Sequence, residues 1–251
     1  MMRRDIDDAL HGWHYNPEPG EVIVRKIVAR DGREILQIRI ELGLIQMEVA
    51  GRPDGVRPHD HETYLSYLES RARSGGKRGG WSMTAEHCAE VDREFAQFYH
   101  RRIAWLTLQA YDRALLDADH TLALMDFIRK HAKDQEYIAV HERFRGLVLF
   151  HRTQAETALA LENRRADLAI DAVREGIARI SAFHETWTAE VERDETPSES
   201  LIEQLKVLEV EIRKNFSVEK TLSEQLDEAV ADEDYERAAL LRDQIRARTR
   251  R

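Results

Sequence analysis

The sequence predicts an α+β protein that is mostly α-helical, and three observations lead to this prediction. An alternating apolar region lies near the N-terminus, a long stretch with very few prolines or glycines begins near residue 84, and the last thirty residues read as a helical hairpin. Apolar residues that recur every second position indicate strands, whereas recurrence every three or four positions indicates helices. We divide the chain into a β-meander region (1–72), a Gly-rich linker or loop (73–83), a helical body (84–196), a connecting helix (197–219) and a hairpin with a basic tail (220–251).

Composition narrows the classes of protein that this chain can represent. With 251 residues, 42% of them hydrophobic, the chain can bury a core of its own. Its formal net charge of −9 at pH 7 disfavours bulk attraction to nucleic acid or to an anionic membrane surface. Cys88 is the only cysteine, which excludes an intramolecular disulfide and a cysteine-based zinc site.

The chain also lacks the sequence signals of membrane insertion and export. No stretch approaches the roughly 18 consecutive apolar residues of a membrane-spanning helix. The first ten residues have no apolar core of the length found in signal peptides. We therefore expect a cytoplasmic protein without a membrane partner.

The N-terminal region predicts a three-stranded antiparallel meander. The first strand falls within 22–30, Asp31-Gly32 forms a tight turn, and 35–42 returns with clean alternation. On this alternation one face of the second strand is apolar and the other polar, so we expect a half-buried strand. The apolar face carries Leu36, Ile38, Ile40 and Leu42, the polar face carries Gln37, Arg39 and Glu41, and Ile45, Met47 and Val49 belong to the third strand.

The segment 73–80 has the most flexible composition of the chain. It contains four glycines around Lys77 and Arg78. The order G-x-x-x-x-G-K-[ST] of a phosphate-binding loop is absent, because arginine follows the lysine. We expect a mobile loop or linker rather than a nucleotide site.

The helical body contains a weak internal repeat. Tyr99-His100-Arg101 recurs as Phe150-His151-Arg152, and residues 109–122 align with 164–177 once a short insertion is allowed. The first copy resembles the second helix of a tetratricopeptide repeat, but the copies are separated by more than the usual period of about 34 residues. Degenerate helix pairs and an ordinary helical bundle both remain open. If the two copies face a common groove, they provide a possible site for an acidic peptide or a phosphate, and otherwise these residues serve packing. This possible groove consists of His100, Arg101, His151 and Arg152.

The connecting helix has its own start signal. Ser200 and Glu203 have the spacing of a capping box, in which each side chain binds the other residue's backbone N–H. A narrow apolar stripe follows, and it indicates that the helix packs on a neighbour along one side. The stripe consists of Leu201, Leu205, Leu208 and Ile212.

The C-terminal segment predicts two short helices joined by an acidic turn. Thr221 and Glu224 have capping-box spacing, and acids at 232–234 suit the start of a second helix. Apolar residues then line one side of each helix. These residues are Leu222, Leu226, Ala229 and Val230 in the first helix, and Tyr235, Ala238, Ala239, Leu241 and Ile245 in the second. A hairpin of this size cannot bury a sufficient core alone, so we expect it to pack on its own chain, on a second copy or on a partner.

These residues also carry a family resemblance. The string from Thr221 to Arg246 resembles the UVR (UvrB/UvrC) motif, above all in its acidic turn, in Tyr235-Glu236-Arg237-Ala238-Ala239 and in Leu241-Arg242-Asp243-Gln244-Ile245. In that family the hairpin is an interaction module of excision nuclease subunits, chaperone-protease components and kinase activators. The chain as a whole is similar to bacterial proteins known only by this motif. The resemblance implies a partner and names no reaction.

We therefore expect a non-catalytic adaptor that binds a protein partner, or a second copy of itself, through the hairpin. The expected binding residues are Leu226, Ala229, Tyr235, Arg237, Ala238, Ala239, Leu241, Arg242 and Ile245. We expect no cofactor and no metal, since the closest histidine pair, His59 and His61, lacks a second ligand pair.

An alternative is a nucleic-acid or DNA-repair accessory factor. It would use the loop at 73–80 and the basic tail, although cations also suit the end of a helix. The tail contains Arg242, Arg246, Arg248, Arg250 and Arg251.

Overall fold

The computed structural model of the chain describes residues 6–18, 20–75, 81–190 and 198–249. The chain divides into two compact units, Met1–Arg145 and Gly146–Arg251. This division falls inside the predicted helical body 84–196, and the segment boundaries inferred from sequence stay predictions. The glycine-rich part of the predicted loop, 76–80, lies outside the described residues.

The predicted meander is present in the first unit. Strands β1 (Ile23–Val28), β2 (Glu34–Ile40) and β3 (Gly43–Glu48) form an antiparallel sheet in the order β1-β2-β3. Ile23 pairs with Arg39 across β1 and β2, and Ile35 pairs with Glu48 across β2 and β3. The β1–β2 turn places Gly32 at φ 87°, a conformation that glycine adopts without steric cost.

The alternation on β2 correctly predicts a strand of the sheet. It does not predict that another segment covers the polar face of this strand. Gln37 is only 4% exposed, since it accepts a hydrogen bond from Arg25 Nε at 2.8 Å and donates one to Gln46 at 2.9 Å. The Arg25 guanidinium lies 3.8 Å from the ring centre of Trp13, and its Nη2 binds the carbonyl of Ala9. The segment around α1 (Asp7–Leu10) thus covers the face predicted to meet solvent. Conversely, Leu42 lies beyond the end of β2 and is 91% exposed, so its assignment to the buried face was wrong.

Four further helices complete the first unit. They are α2 (Tyr64–Gly75), α3 (Ala85–Thr107), α4 (Tyr111–His131) and α5 (Gln135–Glu142). Thr84 caps α3 reciprocally with His87, and Asp134 caps α5 by accepting from the backbone N–H groups of Glu136 and Tyr137. Apolar side chains from all four helices meet in one core. Its buried members are Tyr64, Leu65, Leu68, Met83, Val91, Leu124, Phe127, Ile128 and Ile138.

A buried ion pair ties α3 to α4 and to the segment after β3. Arg101 donates from Nε and Nη2 to the two carboxylate oxygens of Asp117 at 2.9 and 2.7 Å. Its remaining Nη1 donates to the carbonyls of Glu48 and Gly51. A guanidinium can be buried when its donors are satisfied in this way, whereas removal of one partner leaves an uncompensated charge. Arg101 therefore stabilises the fold of the first unit.

The second unit is helical throughout its described residues. It comprises α6 (Arg145–Glu162), whose first residue ends the first unit, followed by α7 (Ala166–Glu190), α8 (Ser198–Phe216), α9 (Leu222–Ala231) and α10 (Tyr235–Thr249). α6 and α7 approach closely at Gly176, where a Cβ atom would collide with the Thr153 side chain. α8 packs on α7. The predicted stripe on α8 is buried at Leu201, Leu205 and Ile212.

The capping box predicted for α8 was wrong. The helix begins at Ser198, so Ser200 lies inside its first turn and does not cap it. Its hydroxyl accepts a hydrogen bond from Gln204 Nε2 at 3.5 Å. A serine followed three residues later by glutamate also occurs inside helices, and the spacing alone does not separate the two situations.

The two related sequence segments share a turn geometry. Gln109 ends the α3–α4 turn at φ 58°, and the aligned Arg164 ends the α6–α7 turn at φ 57°. In each turn the next backbone N–H donates to a carbonyl five residues earlier, from Ala110 to Trp105 and from Arg165 to Ala160. This is the Schellman arrangement of helix C-termini. The internal repeat thus corresponds to two helix pairs with the same turn, and their likeness to tetratricopeptide repeats stays a prediction.

Candidate partner-binding hairpin

The hairpin begins with the predicted capping box. Thr221 Oγ1 accepts from the Glu224 backbone N–H at 3.2 Å, and the Thr221 backbone N–H donates to Glu224 Oε2 at 2.7 Å. Two N–H groups that a helix start leaves unsatisfied are thereby bonded. The start of α9 is fixed by residues only three positions apart.

The predicted acidic turn joins the two helices. Glu233 adopts φ 58°, and the Asp234 backbone N–H donates to the Ala229 carbonyl at 2.8 Å. Asp234 then accepts from the Arg237 backbone N–H at 3.1 Å, which places a carboxylate at the positive end of α10. The turn therefore ends α9 and starts α10 within a few residues.

A small apolar seam holds α9 and α10 together. Ala229, Ala238 and Leu241 are buried, and Leu222 and Leu226 pack against them. The alanines have no side chain beyond Cβ, which lets the two helices approach closely. Four residues of the predicted binding set, Leu226, Ala229, Ala238 and Leu241, therefore serve the hairpin's own core.

Some of the predicted binding residues, together with Val230, which was not among them, border an open groove. Val230 is 52% exposed and Tyr235 is 68% exposed. Together with Leu226, Ala239 and Arg242 they border a groove of about 630 Å³ at the open side of the α9–α10 turn. The groove lining is mainly apolar, and its charged residues are Asp227 and Arg242. Arg237 is exposed, while Ile245 is half-buried further along α10.

One carboxylate of α7 anchors the start of the hairpin. Thr221 Oγ1 donates to Asp171 Oδ1 at 2.7 Å, and Ser223 Oγ donates to Asp171 Oδ2 at 2.9 Å. Charge-assisted hydrogen bonds of this kind are about twice as strong as neutral ones. Asp171 therefore fixes α9 on the body of the second unit. No sequence pattern pointed to this role, because Asp171 lies far from the motif along the chain.

Two arginines of the body hold the capping glutamate. Arg213 of α8 donates to Glu224 Oε1 at 2.7 Å, and Arg174 of α7 lies 3.0 Å from the same oxygen. Partial burial acts to raise the pKa of Glu224, but the hydrogen bond from the Thr221 N–H and the Arg213 guanidinium outweigh it and lower this pKa below its ordinary value. Glu224 therefore remains ionised while it joins α9 to both helices.

The remaining sequence predictions fall elsewhere in the chain. Of the basic tail, Arg242 and Arg246 are exposed on α10, while Arg250, Arg251 and the side chain of Arg248 lie outside the described residues. His100 and Arg101 belong to the first unit, and His151 and Arg152 to the second. Arg101 is committed to its pair with Asp117. The groove hypothesis for these four residues stays a prediction.

Neither a metal cluster nor a membrane-spanning helix occurs in the described ranges. In the ranges that the structure describes, no group of three or more His, Cys, Asp or Glu side chains is placed to hold a metal ion. Among the helices within the same ranges, none has the length and apolar character needed to cross a bilayer.

Comparison with known proteins identifies the hairpin. Residues 220–247 match the family model described as the UvrB/uvrC motif, and this range covers α9, the acidic turn and most of α10. No curated protein sequence and no solved structure matches the chain. The chain thus carries a UVR motif, and the α9–α10 hairpin is the structure that this motif forms.

Proposed function

We propose that this protein is a non-catalytic cytoplasmic adaptor that binds a protein partner through the exposed groove of its UVR hairpin. The observation that carries the proposal is the exposure of Val230 and Tyr235. Other side chains form the buried apolar seam between α9 and α10. Helices α9 and α10 stay together without these two side chains, so they remain available to a partner. The UVR motif of UvrB and UvrC proteins is compatible with such an interaction.

The composition of the groove supports a protein ligand. Tyrosine and arginine are enriched among the residues that dominate binding energy at interfaces, and Tyr235 and Arg242 lie on the same wall. The mainly apolar wall between two antiparallel helices suits the apolar side of a further helix. A helical hairpin, from a partner or from a second copy, is the ligand that we propose.

The anchoring contacts support an adaptor role for the rest of the second unit. Asp171, Arg174 and Arg213 bind the start of α9 from α7 and α8. A docking surface held by several charged contacts is presented in one orientation, which lowers the entropy cost of binding. The body thus positions the groove.

The test compares a double substitution with a single control substitution in the full chain. Val230→Asp with Tyr235→Asp places two charges in the groove, and binding should fall by at least about tenfold because apolar burial is lost and a charge is desolvated. The partner is first captured from a native lysate, and its affinity is then measured by calorimetry with purified proteins. Sedimentation of the chain alone measures self-association.

Leu240→Asp provides the matched control. Leu240 is 66% exposed on the same helix and does not border the groove. It should leave the affinity unchanged. Equal losses for both variants, or unchanged binding after the double substitution, would contradict the proposal, provided that circular dichroism shows both variants folded.

A second candidate is a nucleic-acid accessory role, favoured by the exposure of Arg242 and Arg246 on α10 and by the occurrence of the motif in UvrB and UvrC proteins. The net charge of −9 opposes it. Binding to phosphates would weaken steeply with added salt, whereas docking through the apolar groove would change little. Titration of a DNA duplex at two salt concentrations separates these roles.

A further inference from the structure

A polar pocket in the first unit is unrelated to the hairpin. It has a volume of about 450 Å³ and lies among the turn after β3, the start of α2 and the start of α3. His59 from the turn, Tyr64 and Tyr67 from α2, and His87 from α3 line it.

The Tyr64 hydroxyl is available to a ligand of this pocket. Tyr64 is only 4% exposed, and its side chain lines the pocket. Among the described residues, its hydroxyl has no hydrogen-bond partner. Burial is the main cause that raises the pKa of Tyr64 to about 12, so the hydroxyl stays protonated at neutral pH and can both accept and donate. A ligand in the pocket would satisfy it.

The position of Tyr64 is built into the fold. The backbone N–H groups of Tyr64 and Leu65 donate to the fully buried carboxylate of Glu94 at 2.5 and 3.0 Å. His120 Nε2 lies 3.0 Å from the same carboxylate and holds it in place. The first turn of α2, and with it the tyrosine, is therefore fixed before any ligand arrives.

The charges around the pocket leave an unpaired carboxylate. Arg52 is almost fully buried and lies 3.0 Å from Glu90 and 3.3 Å from Asp54, and Arg93 lies 2.6 Å from Glu90. Both guanidiniums on the wall are thus neutralised by carboxylates of the same wall. Glu86 forms neither a hydrogen bond nor an ion pair with any residue in the described ranges. Among the charged residues that line the pocket, Asp54, Glu86 and Glu90 outnumber Arg52 and Arg93 by one, and Glu86 is the exposed carboxylate that remains for a cation.

One side of the pocket is an aromatic wall. The rings of His59 and Tyr67 stack with their centres 4.0 Å apart. His59 and Asp60 both have positive φ, at 50° and 65°, which is unfavourable for residues with a Cβ. The two stacked rings form a flat aromatic surface beside the pocket. Aromatic faces attract cations.

His87 completes the wall without adding positive charge. Its Nδ1 accepts from the Thr84 backbone N–H at 3.1 Å, which leaves Nε2 to carry the ring proton. Burial is the main cause that lowers the pKa of His87, so the ring is neutral at neutral pH. The neutral His87 ring therefore does not compete with a cation for Glu86.

We propose that this pocket binds an organic cation with N–H donors, a guanidinium or a primary amine. The cation pairs with Glu86, donates a hydrogen bond to the Tyr64 hydroxyl and packs on the wall formed by His59 and Tyr67. The same chemistry is available from a free small amine and from an arginine side chain of a peptide. The proposal is independent of the UVR hairpin.

The first experiment titrates the full chain, labelled at histidine, with agmatine and with N-acetyl-arginine amide. N-acetyl-citrulline amide is the neutral control of nearly the same shape. The nuclear magnetic resonance signals of His59 and His87 should shift with both guanidinium probes and remain unchanged with the citrulline probe. Tighter binding of agmatine would indicate a free amine, and tighter binding of the arginine amide would indicate a peptide side chain; both results support the proposal.

The second experiment removes the two groups that contact the cation. Glu86→Gln should weaken binding of the better probe by about tenfold or more, because a charged acceptor is lost. Tyr64→Phe keeps the ring and removes only the hydroxyl, and it should weaken binding by a smaller factor. Glu69→Gln, an exposed change on α2 outside the pocket, should have no effect.

Four results would overturn the proposal, three with the organic probes and one with inorganic phosphate. The first three are no signal shift at about 10 mM of either guanidinium probe, equal shifts with the citrulline probe, or unchanged affinity in a folded Glu86→Gln variant. Preferential binding of inorganic phosphate would also overturn it, since that would make the site an anion site. Thermal unfolding establishes that each variant is folded.

Discussion

At the scale of single residues, several helices end without the glycine that commonly marks a helix end in a sequence. Four helices in the described ranges end on a non-glycine residue with positive φ, at Gln109, Arg164, Ser217 and Glu233. Glycine is the usual residue in this conformation, because any Cβ is crowded there. No glycine marks these turns in the sequence, so their positions were predictable only where acids or repeats indicated them. Each turn retains a steric cost that a substitution can remove.

Replacement of Glu233 by glycine should stabilise the hairpin. Glu233 has φ 58° in the α9–α10 turn and is exposed. Relief of the left-handed strain should exceed the added entropy of the unfolded chain, with a net gain of about 0.5–1 kcal/mol in the free energy of unfolding. Urea denaturation, together with hydrogen exchange of the α9 and α10 amides, measures the gain.

The neighbouring residue provides the control for this substitution. Asp232 has φ −81°, an ordinary value for any L-residue. Asp232→Gly should therefore lower the free energy of unfolding, since glycine adds only unfolded-state entropy there. A loss of stability in both variants would show that the left-handed conformation at Glu233 carries no strain.

At the scale of elements, most of the features that could be predicted depend on residues close together in the chain. The capping box of Thr221 and Glu224 was predictable because both partners lie in one helical turn. The anchoring of the same helix by Asp171 was not, since that contact joins α7 to α9 across the chain. Gln37 illustrates the same limit, because its burial depends on a distant segment around Trp13. Local sequence patterns predict helices and strands. The contacts that position a site join residues that lie far apart in the chain.

The hydrogen bonds between Asp171 of α7 and the start of α9 can be tested by substitution. Asp171→Ala removes the acceptor of the Thr221 and Ser223 hydroxyls, and it should cost about 1.5–3 kcal/mol in the stability of the α9 start, as expected for hydrogen bonds to a charged group. Hydrogen exchange at the first amides of α9 measures this loss. A double-mutant cycle with Ser223→Ala should give a positive coupling energy. Additive effects would show that the two side chains do not interact.

At the scale of the whole molecule, acidic and basic groups do not contribute evenly to stability. The chain carries 47 acidic and 38 basic residues, and many of its ion pairs are exposed. Exposed pairs typically contribute little. Arg101 with Asp117 and Glu224 with Arg213 differ, because the first pair is buried and the second joins α8 to α9. The pH dependence of folding should therefore reflect a few carboxylates.

Glu224 gives the expected direction of this pH dependence. Its pKa is lower in the folded chain than the ordinary value of about 4.3, so the folded state binds fewer protons than the unfolded state at acid pH. The stability that it contributes is fully present above about pH 4.3 and is lost as the pH falls through the lower folded pKa. In urea unfolding at a series of pH values, Glu224→Gln should be less stable than the original chain at pH 7. The difference should shrink as the pH falls below 4.3.

Glu236→Gln, an exposed change at the start of α10, controls for the loss of one negative charge. A difference that stays constant down to pH 2 would show that the guanidinium of Arg213 does not stabilise the ionised form of Glu224.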